Sequence, residues 1–278
     1  MSLAPNRILV LLDGGSHCQE ALQRACLVAE ETDQPLDVLW FGARPLWQGV
    51  EDTLAQQHGD RTTHLLDPTT SLFETLRREW VRESYSLVVK GCDPGHGRPG
   101  LTTPLDWRLL REVPAPVLLV KRLESWVGGR VLAAINPLHD GAVQRALDTS
   151  VLRTAQLICS LAQAQLHTVV ATEPPMLGAS AEDQVASLIS ARAEASVQAL
   201  CQRLQLSPQQ HHIGEGPAEF WISQVSNDLN AALLVISTSA RAGVSGTLFG
   251  NTAEDILDRT ETDVLVMRAG TEVLDHHH

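Results

Sequence analysis

Short, nearly uninterrupted runs of valine, leucine and isoleucine recur along the chain. Runs of this length are typical of strands that are buried on both faces, as in a parallel sheet. The strong ones are residues 8–12, 36–41, 86–89, 116–120, 232–236 and 264–267. Two weaker runs, residues 131–135 and 167–171, are interpreted as further strands of the same kind.

Helical patterns lie between these runs. After the first run, Ala21, Leu22, Ala25 and Val28 mark one face of a helix. A second, longer pattern extends from Ala181 to Gln205, with apolar residues at helical spacing. Strands that alternate with helices predict βαβ units. The expected fold class is therefore α/β, with doubly wound, mostly parallel sheets that carry helices on both faces.

The order of elements then repeats. Arg7–Asp13 is similar to Arg130–Asn136, and Val117–Lys121 is similar to Val264–Arg268. We therefore predict two tandem domains, residues 1–123 and residues 128–270, followed by a tail at residues 271–278. The tail ends in His276–His278, which is typical of a purification-tag remnant. Residues 122–129 contain a Gly-Gly pair and no periodic pattern, so they are interpreted as a linker. Residues 43–61 are short for a full helix, and we predict a shortened one there.

Charge and cysteine content restrict the classes of partner. The net charge is −12 and no run of Lys or Arg occurs, which argues against binding to nucleic acid or to an anionic membrane. The five cysteines are odd in number and form no CxxC pair, which favours a reducing compartment. No secretory signal and no apolar run of membrane-spanning length is found, so a cytoplasmic location is expected.

Two motifs carry a resemblance to a known family. Phe249-Gly250-Asn251-Thr252-Ala253-Glu254, between two apolar runs, resembles the C-terminal block of universal stress protein domains. Thr103-Pro104-Leu105-Asp106-Trp107 resembles the first domain of the tandem, E-type universal stress proteins of bacteria. The resemblance implies five-stranded domains with an adenine nucleotide alpha hydrolase-like fold. It also implies that the halves pair as an intrachain pseudo-dimer, with Val117–Val120 antiparallel to Val264–Met267, and that the role lies in stress survival without catalysis.

In nucleotide-binding members of that family, an Asp after the first strand faces the adenine or ribose, and a Gly-x2-Gly-x9-Gly-Ser/Thr loop wraps the phosphates. Glycines admit the phosphates, and a helix N-terminus offers free N–H groups. In the first half, Asp13 matches the Asp and Gly91 matches the first glycine. Pro94 and Thr103-Pro104 depart from the pattern, and proline has no N–H to donate.

The second half departs from the same pattern at other positions. Asn136 replaces the first-strand Asp, and Ser237 and Ala240 replace the first two glycines. Gly250 keeps the third glycine and is followed by Asn251 and Thr252, which either hold a small anion or simply cap the helix. The candidate cofactor-binding residues are Asp13, Gly91, Asn136, Ser237, Gly250, Asn251 and Thr252.

Three functions stay open at this point. The favoured one is a noncatalytic binding or regulatory protein of the stress response, with degenerate nucleotide-binding loops and a small-molecule ligand or protein partner. The second is an ATP- or AMP-binding protein with slow ATPase activity, and the third is a protein-interaction scaffold. No catalytic residue and no metal site is predicted, and ATP or AMP is the only cofactor considered.

Cysteines, histidines and tryptophans were assigned individually. Cys92, in a Gly-rich loop, is predicted to be exposed and oxidisable, whereas the other cysteines fall within helical patterns and are predicted to be buried. His211 and His212 are interpreted as surface histidines rather than metal ligands. Trp107 and Trp221 are placed beside the two clefts, with packing as their expected role.

Overall fold

The computed structural model describes residues 6–41, 62–65, 71–92, 104–174, 185–238 and 251–269. The strands are β1 Arg7–Leu12, β2 Leu36–Trp40, β3 Thr62–Leu65, β4 Tyr85–Gly91, β5 Val117–Val120, β6 Arg130–Ala134, β7 Gln165–Thr172, β8 Gln210–Glu215, β9 Leu233–Thr238 and β10 Asp263–Arg268. The helices are α1 Cys18–Glu31, α2 Leu72–Arg82, α3 Pro104–Glu112, α4 Ala142–Ala162, α5 Ala186–Leu204, α6 Ala218–Asp228 and α7 Asn251–Arg259.

All ten strands form one sheet in the order β3-β2-β1-β4-β5-β10-β9-β6-β7-β8. Counted from either outer edge towards the centre, the order of strands within each half is the same, so the halves are related by a pseudo-twofold axis between β5 and β10. Every neighbouring pair is parallel except β5 and β10, where Leu118 lies opposite Leu265. The predicted fold class and the antiparallel pairing of the last strands are both confirmed.

The sheet separates two hydrophobic layers. On β1, Ile8 and Val10 face the layer that contains α1, α4 and α5, while Leu9 and Leu11 face the layer that contains α2, α3, α6 and α7. Because both faces are covered, the strands are apolar at nearly every position, which is why they were visible as continuous runs. No helix in the described ranges is long and apolar enough to cross a bilayer.

All eight predicted strands are present. The two edge strands, β3 and β8, were not delimited in advance because they contain polar residues and no apolar run. The long pattern in the second half forms helix α5, as predicted. The shortened helix predicted for residues 43–61 lies outside the described residues.

The predicted linker is irregular in structure, but it is packed rather than loose. Its Trp126 is 1% exposed, and the indole Nε1 donates to Oδ2 of Asp263 at 2.8 Å. Oδ1 of the same carboxylate accepts the backbone N–H groups of Lys121 at 2.7 Å and Arg122 at 2.9 Å. The Arg24 guanidinium, from α1, lies 3.3 Å from Oδ2. Asp263 therefore joins the first residue of β10 to the linker and to a helix of the other half.

Arg24 also contacts the linker directly. Its guanidinium donates to the carbonyl of Glu124 and lies 5.2 Å from the centre of the Trp126 ring. A cation over an indole face is attracted by the ring quadrupole, and more strongly when both are desolvated. Arg24 is 4% exposed and Asp263 is fully buried, so each charge depends on the other for its compensation.

Each half of the repeat ends in a basic residue, and the side chain of that residue binds the other half. Lys121, after β5, donates from Nζ to the carbonyls of Leu257 and Thr260, at the end of α7. Arg268, at the end of β10, donates from Nη1 to the carbonyl of Arg111 at 3.1 Å, at the end of α3. Each half thus supplies a cation to the C-terminus of the last helix of the other half, where carbonyls lack helical partners and the dipole is negative.

Asp263→Asn is expected to destabilise the protein by about 3–5 kcal/mol, because it leaves the buried Arg24 charge without its carboxylate. The measurement is the free energy of unfolding from urea titration. Arg77→Gln is the control, because it removes only an exposed ion pair with Glu112, and a change of about 0.5 kcal/mol or less is expected. An Asp263→Asn protein as stable as this control would show that the carboxylate does not hold the halves together.

Candidate functional site

The candidate residues lie at the carboxyl ends of the parallel strands, where ligands bind in open α/β sheets. In the first half, Asp13 follows β1 and Gly91 ends β4, and these two strands are neighbours. In the second half, Asn136 follows β6 and Ser237 lies near the end of its neighbour β9. Helix α7 begins at Asn251, next to Thr252. Gly250 and the side chain of Asn251 lie outside the described residues.

The first crevice is occupied by a lysine side chain of the protein itself. Nζ of Lys90, which is 1% exposed, lies 3.0 Å from Oδ2 of Asp13 and 3.1 Å from Oδ1 of Asp106. It also donates to the carbonyl of Gly91 at 2.6 Å. An ammonium group has three hydrogens to donate, and the hydrogen bond to Gly91 uses one of them. The carboxylates of Asp13 and Asp106 both lie within ion-pair distance, so the charge of Lys90 is already balanced within the protein.

Asp13 is engaged on its other oxygen as well. Oδ1 accepts the backbone N–H of Gly15 at 2.9 Å and the Cys18 thiol at 3.2 Å. Burial by itself would raise the pKa of Asp13, but Lys90 and the Gly15 N–H hold that pKa below its ordinary value. Burial would likewise lower the pKa of Lys90, but Asp106 and Asp13 raise it. These groups therefore stay charged at neutral pH, and they neutralise one another internally.

Gly91 is required by close packing within the protein. A Cβ at this position would lie 2.7 Å from the backbone oxygen of His17 and 2.8 Å from its carbonyl carbon. Real Cβ atoms do not approach backbone so closely, and the contacting atoms cannot turn aside as a flexible side chain could. The contact between the end of β4 and the start of α1 thus accounts for the glycine without a bound phosphate.

Cys92 contradicts its prediction. The side chain is buried, 4% exposed, and its thiol lies 3.5 Å from Oδ2 of Asp106, to which it donates. Burial and the Asp106 carboxylate raise the pKa of Cys92 to about 12, so the thiolate that oxidation requires is scarce. The prediction was wrong because Cys92 directly follows β4 and is covered by the same layer as Asp106. The other four cysteines are buried, as predicted.

The second crevice differs from the first in the hydrogen bonding of its polar side chains. Asn136 and Thr252 are exposed and Ser237 is half-buried. None of these three side chains makes a hydrogen bond within the described part of the chain. The loop is anchored from below, where Oδ1 of the buried Asp148 accepts the backbone N–H of Asn136 at 3.0 Å. Within the described residues, the second half therefore presents polar side chains without hydrogen bonds where the first half presents an internal ion pair.

Two sequence assignments concern histidine and tryptophan. His211 and His212 are half-buried rather than scattered on the surface, and His212 contacts His167. Trp221 packs flat against Gly214, where a Cβ would lie 2.4 Å from the indole ring. Trp107 is half-buried against the same hydrophobic layer, so a packing role is confirmed for both tryptophans. In the described ranges, no group of three or more His, Cys, Asp or Glu side chains is placed to hold a metal ion.

Lys90 and Asp106 were not among the predicted site residues. Asp106 was named only as part of the Thr-Pro-Leu-Asp-Trp motif, and Lys90, which follows the apolar run 86–89, was not singled out. A lysine between an apolar run and a glycine was the available signal, because an ammonium at a buried strand end needs carboxylates nearby.

Comparison with known proteins identifies the family. The model described as "Universal stress protein family" matches residues 129–268, which are the second half of the sheet. Universal stress protein E of Salmonella typhi is 29% identical over 208 residues, which cover 70% of this chain and 65% of that protein. The match therefore spans less than two thirds of the length of this relative.

Solved structures extend the likeness to both halves. A protein of unknown function from Pseudomonas aeruginosa PAO1 is 33% identical with a TM-score of 0.79, over 96% of this chain and 93% of that one. A provisionally assigned universal stress protein from Pseudomonas aeruginosa UCBPP-PA14 is 32% identical with a TM-score of 0.78, over 95% of this chain and 94% of that one. The chain belongs to the universal stress protein family.

Lys90→Met is expected to destabilise the protein by about 3–5 kcal/mol at neutral pH, because two carboxylates then face each other without a buried cation. The loss should be smaller near pH 4, since a carboxyl group can take up a proton there. Urea unfolding at the two pH values measures both quantities.

The matched control is the double variant Lys90→Met/Asp106→Asn, which removes one of the two carboxylates together with the ammonium. It should recover part of the stability lost by Lys90→Met alone. Equal stability of the two variants would mean that Asp106 is not coupled to Lys90.

Proposed function

We propose that this chain is a tandem universal stress protein of the E type, which acts in the stress response by binding and regulation rather than by catalysis. Its two domains would correspond to residues 1–123 and 128–270. A cytoplasmic location belongs to the same proposal, as does the lack of nucleic-acid binding that the net charge of −12 favours.

The observation that carries this proposal is the internal ion pairing of the first crevice. The Asp that would face a nucleotide is paired with Lys90, and Lys90 is also paired with Asp106 and donates to the carbonyl of Gly91. ATP could enter only by breaking a buried ion pair, and removing one partner from such a pair is costly. The first half is therefore proposed to be structural, with no ATP or AMP bound.

The second crevice is the proposed place for any ligand. Its side chains at Asn136, Ser237 and Thr252 are neutral hydrogen-bonding groups, so they favour a polar ligand. An amide at position 136 both donates and accepts hydrogen bonds, whereas an ionised carboxylate only accepts. The hydrogen bonds offered there differ from those of the Asp found in nucleotide-binding members, so a ligand other than ATP is proposed.

The experiment is a search for bound nucleotide. Purified protein is denatured, and the released small molecules are identified by mass spectrometry. Thermal unfolding is then followed with and without millimolar MgATP, together with ATP hydrolysis. We expect no stoichiometric ATP or AMP, no ATP-dependent rise in Tm, and no hydrolysis above the blank. Because a ligand that binds only the folded state must raise stability, an unchanged Tm reports lack of binding.

Two loop variants separate the halves. Asn136→Asp/Ser237→Gly/Ala240→Gly/Asn251→Ser restores the family pattern in the second half and is expected to gain ATP-dependent stabilisation. Pro94→Gly/Thr103→Gly/Pro104→Ser restores it in the first half with Lys90 in place and is expected to gain none. Stoichiometric nucleotide on the wild-type protein would overturn the proposal.

A further inference from the structure

Two imidazoles meet between β7 and β8, at the outer edge of the second half. Nδ1 of His167 lies 3.1 Å from Nε2 of His212, and the two rings are stacked with their centres 5.4 Å apart. His167 is 4% exposed. A neutral imidazole has one donor and one acceptor nitrogen. The contact is therefore one N–H···N hydrogen bond between two neutral rings, referred to below as the imidazole pair.

The imidazole pair connects an edge strand to the body of the sheet. β8 is the terminal strand and pairs with β7. On the same face of β8, Gly214 lies under the indole of Trp221 from α6, so the pair is covered by that helix. The remaining nitrogen of His167, Nε2, is buried and has no hydrogen-bond partner among the residues that the structure describes. A proton added there would be a buried charge without an acceptor, which is costly.

The charged groups around the pair all disfavour a positive charge. Burial lowers the pKa of His167, and His212 and Arg130 lower it further. Burial lowers the pKa of His212, and His211 lowers it further. The covering helix α6 carries Glu219 and Asp228, but neither acts on these two rings.

Among the described residues, the carboxylate that acts on these histidines lies on the other face of the sheet. Burial lowers the pKa of His211, and Glu194, from α5, offsets only part of that shift. Nδ1 of His211 lies 2.7 Å from the Thr168 hydroxyl. His211 and His212 are successive residues of one strand, so their side chains point to opposite faces. In the described part of the chain, a charge on the imidazole pair is therefore left without an opposite charge.

One proton and two protons have different consequences. A singly charged pair can keep its hydrogen bond, because the charged ring donates and the neutral ring accepts. In a doubly charged pair, both facing nitrogens carry hydrogens at 3.1 Å, so the bond is lost and the two charges repel.

We propose that the imidazole pair is an acid-sensitive contact that holds β8 on the sheet at neutral pH and releases this edge strand when both rings become charged. The sign follows from linkage. Free histidine titrates at about pH 6.5. Release of β8 exposes the rings of His167 and His212 to water, where they regain that ordinary pKa. The open form therefore binds more protons than the closed form. The closed form therefore loses stability as the pH falls below about 6.5. Release would leave the backbone groups along the outer edge of β7 without partners.

The test is hydrogen exchange of the full-length protein at about pH 7.5 and about pH 5.5, on either side of the histidine range. Peptides that cover β8 are compared with those that cover β6, after correction for the intrinsic pH dependence of exchange. Protection of β8 is expected to fall by about tenfold or more, with a slope between about one and three decades per pH unit, because the imidazole pair takes up to two protons and His211 up to one more. Protection of β6 should stay constant.

His212→Gln and His211→Gln form a matched pair of variants on the same strand. Gln at position 212 can still hydrogen-bond to His167 but cannot take up a proton, so most of the pH response should disappear. Gln at position 211 leaves the imidazole pair intact but removes a third histidine whose pKa is lowered by burial, so the response should shrink by the one proton of His211 and the larger part should remain. An unchanged wild-type protection at the lower pH, or a full response in His212→Gln, would refute the proposal.

An NMR titration of the wild-type imidazoles gives an answer that does not depend on how the variants fold. Both rings are expected to titrate below about 6.5, the ordinary histidine value. Values at or above that point for both rings would rule out the proposed contact. This result is independent of the proposed function, because ATP binding could be found or excluded without changing the response of β8.

Discussion

The antiparallel pairing of β5 with β10 is the contact on which the rest of the structure depends. It is the only antiparallel pair of the described sheet, and it joins two five-stranded parallel sheets into one. Backbone hydrogen bonds alone would not fix the hydrophobic layers on either side. Asp263 does so, because its carboxylate, at the start of β10, binds the backbone that follows β5, Trp126 of the linker and Arg24 of helix α1 in the opposite half. These contacts fix the two halves, and therefore their two crevices, relative to each other.

The two crevices depart from the family's nucleotide-binding pattern in different ways. The first keeps the family's Asp and first glycine, yet Lys90 binds the Asp, and the glycine is needed by the backbone of His17. The second has lost the Asp, but its polar side chains remain without partners in the described residues. Retention of a motif residue is therefore a poor guide to retention of its role. In this chain, the first half keeps the motif's Asp at position 13, and its crevice is the one that holds the Lys90 side chain.

Much of the fold could be predicted because strands that are buried on both faces are apolar at nearly every position and are visible as runs in the sequence. All eight strands marked by such runs are present, and the resemblance to the family predicted the central pairing. Edge strands such as β8 lack that signal, since a polar run like Gln210–Glu215 has one side without a neighbouring strand. The site was less predictable. The contacts of Lys90 with Asp13 and Asp106 join residues 77 and 16 positions apart, and Cys92 was misassigned because its covering residues come from another helix.

The packed linker has a consequence for how the two halves stay together. Two separate subunits that pair through a strand must find each other, and their association depends on concentration. Residues 122–129 convert that encounter into an intramolecular one, with a high effective concentration that dilution cannot lower. Lys121 and Arg268 add a mutual dependence, because each half supplies the cation that binds the carbonyls at the end of the other half's last helix. The ten-stranded sheet should consequently persist at the lowest copy numbers of the protein, when a two-chain equivalent would already have come apart.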